Sequence, residues 1–446
     1  MPEKFIILGG GESGVGAALL GRQQGYEVFV SEGGKLKEEY RFELLKAGIA
    51  FEEGGHTMEM ILAADEIMKS PGIPEKTAVM QAIRAKGITV ISEFELAYRF
   101  KGESKIVAIT GSNGKSTTTA LLYHICKTAG LDCAMVGNIG YSIAKQIAED
   151  PKPLYIAEIS SFQLDDIKTF RPEIAIMVNI TEDHLDRYEY NFENYIHSKF
   201  SIIGHQSAED IFIYCADDPV TMQYLPTYLK NSKTLPFSMK EIKTDGAYIK
   251  DEEMLIRYKG EDMRMSIYDF AIQGHHNQYN SMAAAIAAST MGIRNATLQV
   301  AMKTFQGLPH RTEHVATIRG VQYINDSKAT NMNSTWSALG AMTKPVVLIL
   351  GGVDKGNDYT IIEELVSEKV KAIICLGKDN EKIHAFFEGK VPVMIDVDSA
   401  VSAARTAYSL AEKGDAVLLS PGCASFDLFL NYEDRGNQFK QAVKDL

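Results

Sequence analysis

At 446 residues the chain is too long for one ordinary hydrophobic core, and its length predicts about three domains. Apolar residues make up 45% and charged residues 23%, the balance of a water-soluble globular protein. The formal net charge of -12 argues against a sequence-independent grip on nucleic acid or on an anionic membrane, so phosphorylated ligands must be met by local groups.

The N-terminal apolar stretch is too short for a signal peptide, and no run of about 18 apolar residues appears, which makes the cytoplasm the expected compartment. Residues 4–16 read as strand, glycine loop and helix. Gly9, Gly11 and Gly14 satisfy G-x-G-x-x-G, and after a second strand from Glu27 to Val30 comes Glu32, the acidic residue that a dinucleotide site sets on a ribose. Taken alone, this pattern reads as Rossmann-like and NAD-dependent. A turn at Ser70, Pro71 and Gly72 follows a later strand, and a first domain ending near Ser92 is expected.

A polar link, Lys101 to Ser104, leads into the apolar strand Ile106–Ile109. The loop after it carries Gly111, Ser112, Asn113 and Gly114 before Lys115, Ser116, Thr117 and a helical run. This is a phosphate cradle: glycines let an anion reach the backbone, the helix N-terminus offers N–H groups, Lys115 adds charge, and the Ser116 hydroxyl suits magnesium. The spacing departs from the usual P-loop, because Ile109 stands five residues before Gly114.

Two further strands, in residues 154–161 and 174–180, are apolar and rich in β-branched residues, as buried parallel strands should be. Their polar ends, Glu158, Ser160 and Ser161 on one and Thr181 to His184 on the other, are expected to converge on the phosphate loop. Residues 208–265 read as short strands and turns, and Asn280 to Met291 as a helix. From Leu308 onward, strands at 346–352, 371–377, 391–395 and 415–422 alternate with helical segments, again a parallel α/β sheet. The five cysteines form no Cys-x-x-Cys pair and are expected to be buried free thiols.

The strings ITGSNGKSTTT, GNIG, EISSFQL, NITEDHLDR, GHHNQYN, GLPHR, NDSKATN, GGVDKG and SPGCASFD resemble, in that order, the Mur ligases, over nearly the whole chain. The last-domain strings resemble the D-glutamate-adding branch. The resemblance implies an α/β fold of three domains: a Rossmann-like N-terminal domain (1–93) for the UDP-linked precursor, a central P-loop ATPase-like parallel sheet (94–307), and a Rossmann-like C-terminal domain (308–446) serving ATP and D-glutamate. The implied reaction is ADP-forming. The carboxylate of UDP-N-acetylmuramoyl-L-alanine takes the γ-phosphate of ATP, and the D-glutamate amine displaces phosphate from the acyl phosphate, a cytoplasmic step of peptidoglycan synthesis.

The resemblance also assigns residues. Lys115, Glu158, His184 and Lys199 would be catalytic, with Ser116, Glu158, His184 and a carbamylated Lys199 holding magnesium at two sites. ATP would meet Gly111 to Thr117, Asn277, Asn280, Arg311, Asp326 and Lys328. Glu12, Ser13, Gly14, Ser31, Glu32, Ser70, Gly72, Asn138 and Ser160 would receive the UDP precursor, the Glu12 side chain turning away from the diphosphate. Thr330, Lys355, Ser425 and Tyr432 would bind D-glutamate. The protein is expected to act as a monomer, without nucleic acid and without membrane insertion. The competing readings are another Mur ligase, a folylpolyglutamate synthase-like ligase, an NAD-dependent oxidoreductase, or a non-catalytic nucleotide-binding regulator. An amino-acid panel separates the ligases; nicotinamide absorbance and a Lys115→Ala variant test the other two.

Overall fold

The computed structural model describes residues 4–354 and 356–446; Lys355, expected at the amino-acid site, lies outside the described residues. The described chain forms two compact units, one of 4–270 with 279–304, the other of 271–278 with 305–446.

The first unit holds two sheets. In the first sheet, β1 (Lys4–Leu8), β2 (Glu27–Glu32), β3 (Ala50–Glu53), β4 (Glu66–Lys69) and β5 (Thr89–Ile91) run parallel in the order β3-β2-β1-β4-β5. The chain builds outward from β1 on one side and then crosses to the other. The C-terminal end of β1 is thus a switch point, where open α/β sheets leave a crevice. Gly14, in the helix Glu12–Gln23, packs so tightly on the loop that a Cβ would stand 1.8 Å from the Gly9 carbonyl oxygen.

The second sheet has the order β14-β13-β12-β11-β10-β9-β6-β8-β7. Its strands are β6 (Lys105–Thr110), β7 (Cys133–Gly137), β8 (Leu154–Glu158), β9 (Ile174–Met177), β10 (Ile211–Cys215), β11 (Lys233–Ser238), β12 (Gly246–Lys250), β13 (Glu253–Tyr258) and β14 (Glu261–Ser266). From β7 to β12 every pairing is parallel, and β13 and β14 close the edge antiparallel. Because β6 lies between β8 and β9, the segments leaving all three strands emerge at one edge.

Residues 208–265 were expected as short strands and turns, and they also contain the helix Pro219–Tyr228. Its two prolines hide it from periodicity, yet Asp218 caps it, accepting from the Thr221 N–H, and Pro219 sits in the first turn where no backbone donor is lost. The next helix starts at His275, five residues before the expected Asn280.

Buried carboxylates tie the two sheets of this unit together. Glu95 accepts from the backbone N–H groups of Lys168, Thr169 and Phe170, and Asp166 pairs with Lys69 at 2.9 Å and with Arg84 at 2.6 Å.

The second unit contains β15 (Glu313–Ile318), β16 (Val321–Asn325), β17 (Val346–Leu350), β18 (Val370–Leu376), β19 (Met394–Val397) and β20 (Ala416–Leu419), in the order β15-β16-β20-β17-β18-β19. Only the β15–β16 pair is antiparallel. The fully apolar β17 is buried along its length, as helices on both faces require. All five cysteines are free and buried. No helix among the described residues is long and apolar enough to cross a membrane.

Candidate functional site

The loop after β6 joins a buried strand to a helix N-terminus, an arrangement that can hold an anion. Gly114 caps the helix Lys115–Thr128 at φ +83°, in the left-handed region, and a Cβ there would stand 2.3 Å from Asn280 Oδ1. Thr118 Oγ1 donates to the same Asn280 oxygen at 3.2 Å, so Asn280 fixes the first helical turn. The loop is laced to the segment leaving β9. The Ser112 N–H donates to the Asn179 carbonyl at 2.9 Å, the Asn113 N–H to Asn179 Oδ1 at 2.9 Å, and Ser112 Oγ to the Thr181 carbonyl at 2.8 Å. The amides at the helix start and the buried Ser116 hydroxyl belong to this rigid cradle, while Thr117 is half-buried on the first turn.

Two lysines meet at one carbonyl. Lys115 Nζ donates to the Gly111 oxygen at 2.7 Å and to the Ser112 oxygen at 2.9 Å, and Lys199 Nζ donates to the Gly111 oxygen at 2.8 Å. Lys199 is 1% exposed, with its ammonium position 4.5 Å from the centre of the Tyr195 ring. Burial, and next the charge of Lys115, hold the Lys199 amine well below the ordinary lysine range, although Asp183, Asp165 and Glu158 pull the other way.

Glu158, at the end of β8, is 1% exposed; its Oε1 accepts from Asn138 Nδ2 at 2.6 Å, and its buried Oε2 has no hydrogen-bond partner among the described residues. An orphaned carboxylate oxygen in a buried site is costly unless a cation or donor meets it. His184 offers a nitrogen donor, and Ser116 and Glu158 offer the hard oxygen donors that suit magnesium. A neutral Lys199 amine can become a carbamate and add two more oxygens of that kind.

His184 sits on the segment leaving β9 with φ +53° and a half-exposed side chain, its ring edge-on to Phe162 at 5.1 Å. Partial burial with the charges of Lys115 and Lys199 lowers its pKa against the opposing pull of Asp183. Three residues on, Arg187 Nη2 donates to the Pro71 carbonyl at 2.9 Å and Nη1 to the Gly72 carbonyl at 3.3 Å, joining this segment to the turn after β4.

That turn borders a cavity of about 510 Å³ at the switch point of the first sheet, lined by Gly9, Glu32, His56, Gly72, Ile73 and neighbours. Glu32, expected on a ribose, has its carboxylate held by the N–H groups of Gly10 and Gly34, both at 2.7 Å. Ser31 is fully buried, and Ser70 Oγ donates to the Gly9 carbonyl at 3.0 Å. Glu12 and Ser13 open the first helix, where a Glu12 oxygen receives the Ser142 N–H at 3.4 Å. Asn138 faces Glu158 through both its backbone and its side chain, while Ser160 caps the short helix Ser161–Leu164.

In the second unit, Asp326 is 7% exposed; it accepts from Ser420 Oγ at 2.8 Å and from the Thr312 N–H at 3.1 Å. Burial pushes its pKa up to about 7 against those bonds and against Arg311 and Arg435. Lys328 reaches the Tyr432 hydroxyl at 3.1 Å and lies 4.8 Å from its ring centre. Ser425 is buried and Thr330 exposed, on segments linked by the Gly422 N–H to Ala329 carbonyl bond at 2.9 Å. Asn277 belongs to this unit and donates to the Gln273 carbonyl at 2.9 Å.

Thus Gly111 to Thr117, Asn280, Glu158, Asn138, His184 and Lys199 gather at one edge of the second sheet. Arg311, Asp326, Lys328 and Tyr432 gather in the second unit. The sequence reading missed Asn179, which fastens the phosphate loop, and His56, which lines the first cavity. An asparagine closing an apolar strand was the available signal for the former; nothing local marks the latter.

The sequence matches family profiles described as "MurD N-terminal domain" over 4–79, "Mur ligase middle domain" over 109–288 and "Mur ligase, glutamate ligase domain" over 310–423. It is 50% identical to the UDP-N-acetylmuramoylalanine--D-glutamate ligase of Porphyromonas gingivalis, covering 99% of this chain and 98% of that protein. The protein of that name from Christiangramia forsetii is also 50% identical, with 100% of both chains covered. Among solved structures, UDP-N-acetylmuramate-alanine ligase MurC from Thermotoga maritima shares the fold at TM-score 0.63 and 16% identity, with 99% of each chain covered. A pseudomurein peptide ligase type C from Methanothermus fervidus matches at TM-score 0.61 and 19% identity, again over 99% of each. With full-length relatives at this identity, the chain belongs to the Mur ligases, in the group whose members carry the name UDP-N-acetylmuramoylalanine--D-glutamate ligase.

Proposed function

We propose that the protein is an ATP-dependent, ADP-forming ligase that joins D-glutamate to UDP-N-acetylmuramoyl-L-alanine through an acyl phosphate, a cytoplasmic step of peptidoglycan synthesis. A carboxylate cannot be displaced directly by an amine, because oxide is too poor a leaving group. Phosphorylation turns that oxygen into part of a phosphate, which leaves when the amine attacks. Transfer of this kind needs positioning and charge neutralisation more than a nucleophilic side chain.

The observation that carries the reading is the meeting of the Gly111–Ser116 loop, the orphaned Glu158 oxygen and the buried Lys199 amine at one sheet edge. In this reading Lys115 leaves the loop carbonyls for the β- and γ-phosphates, and Asn277, Asn280, Arg311, Asp326 and Lys328 hold the rest of the nucleotide. Ser116, Glu158, His184 and carbamylated Lys199 would hold magnesium at two sites, where it would supply charge that screens the phosphates. Lys199 gains its carbamate when the neutral amine attacks CO₂ and releases one proton to solvent. Glu12, Ser13, Gly14, Ser31, Glu32, Ser70, Gly72, Asn138 and Ser160 take the UDP precursor. Thr330, Lys355, Ser425 and Tyr432 take D-glutamate.

The same reading sets the domain limits at 1–93, 94–307 and 308–446, and treats the protein as a monomer that binds neither nucleic acid nor membrane. The test is an amino-acid panel with mass-spectrometric detection of the product. D-glutamate should be the substrate incorporated. Incorporation of L-alanine or a diamino acid in its place would refute the assignment within the family.

A further inference from the structure

The cavity at the switch point of the first sheet contains an imidazole whose hydrogen placement is dictated by its neighbours. Ser31 Oγ lies 2.6 Å from Glu52 Oε1 and 2.7 Å from His56 Nδ1. A hydroxyl has one hydrogen to give. Glu52 also accepts from the Thr57 N–H at 2.9 Å and from Thr57 Oγ1 at 2.5 Å. Burial opposes its charge, but these bonds outweigh burial and hold the carboxyl below its ordinary pKa. Glu52 is therefore ionised at neutral pH and can only accept.

The Ser31 hydrogen consequently goes to Glu52, and the contact with His56 is made by an Nδ1–H donating to the serine oxygen. In a neutral imidazole this leaves Nε2 with a bare lone pair. That nitrogen stands beside Gly33, where a Cβ would approach it to 3.0 Å, and it has no hydrogen-bond partner among the described residues. Both His56 and Gly33 line the cavity.

We propose that the Glu52–Ser31–His56 relay makes His56 a specificity-determining residue, its Nε2 accepting the imide N–H of a uracil ring seated in the cavity lined by Glu32, His56 and Ile73. The inference rests on the reading that a UDP-linked precursor binds the first sheet. Uracil offers a donor at N3, which meets the Nε2 lone pair. Cytosine carries a lone pair at the same position, so two acceptors would face each other with neither satisfied, and such mismatches discriminate strongly. Gly33 and the serine relay then have one purpose: the glycine makes room for the ring, and the relay fixes which nitrogen is bare.

The test is calorimetric titration of the full chain with UDP and, separately, CDP. The wild type should bind UDP at least about tenfold more tightly than CDP, the scale expected for one satisfied against one unsatisfied hydrogen bond. His56→Phe should bring the two affinities within about twofold, and Ser31→Ala, which frees the tautomer, should lower the ratio at least about threefold. Variants are compared once their thermal unfolding midpoints match the wild type, so an unchanged ratio reports on the relay and not on a general loss of structure. A wild type without the preference, or variants that retain it while the wild type still releases ADP with both substrates, overturns the relay alone. A wild type that releases no ADP with D-glutamate and the precursor overturns the underlying reading instead.

Discussion

At the scale of single residues, the chemistry depends on how far burial shifts ordinary groups. Lys199 is an unremarkable lysine in sequence, yet the fold encloses it beside Lys115 and holds its amine well below the usual range. A neutral amine is what carbamylation requires. Incubation with ¹³C-labelled bicarbonate should therefore give a carbamate carbonyl resonance at a pH well under that needed by an exposed lysine. Lys199→Ala should lack that resonance and lose at least about a hundredfold in turnover, as removal of one charge-stabilising group does. A labelling profile that follows an ordinary lysine would refute the assignment.

Asp326 illustrates the opposite sign. Its folded pKa of about 7 lies above the ordinary 3.8, so the folded chain holds a proton that the unfolded chain releases. The stabilisation is complete below pH 3.8 and is lost as pH rises through 7. One extra bound proton contributes a slope of about 1.4 kcal/mol per pH unit between those values. Asp326→Asn should flatten that part of the unfolding profile, measured by denaturant titration across the range.

At the scale of elements, the strand–loop–helix units were legible because each is announced by an apolar run followed by glycines. The phosphate loop and its helix lie where the sequence put them, and the buried strands of the third sheet follow the same logic. What stayed hidden is instructive. The helix Pro219–Tyr228 carries two prolines, so its period is masked and only its Asp218–Pro219 start betrays it. Glu32 stands out in sequence as an acidic residue closing a strand, while its bonds from the backbone amides of Gly10 and Gly34 are set by loop geometry that no local pattern encodes. The contact of Asn138 with Glu158 joins residues whose pairing depends on the β7–β8 register, which no local pattern encodes.

The glycines offer a contrast at this scale. Gly14→Ala would drive a Cβ to within 1.8 Å of the Gly9 carbonyl oxygen and should cost more than about 2 kcal/mol in thermal or denaturant unfolding. Gly11 has φ −79° and nothing within 4 Å of a Cβ, so Gly11→Ala should stay within about 1 kcal/mol of the parent. Asp166→Ala, which removes the buried carboxylate shared by Lys69 and Arg84 and leaves both to Glu75, should cost about 2 kcal/mol by the same measurement.

At the scale of the whole molecule, one design recurs in three sheets: apolar parallel strands deliver polar residues to the ends where the chain reverses its building direction. In a chain of net charge −12 an anionic ligand must be met by local cations, and Lys115 stands at the end of β6 while Arg311 and Lys328 stand near the end of β16. The first sheet alone resembles a dinucleotide fold. Full-length relatives named as ligases, together with the phosphate loop on the second sheet, favour the ligase over an NAD-dependent reaction.

The most direct test of this chemistry follows one oxygen atom. With ¹⁸O in the L-alanine carboxylate of the precursor, ATP and D-glutamate present, the phosphate released should carry one labelled oxygen from the acyl phosphate. Product formed with unlabelled phosphate would contradict the account.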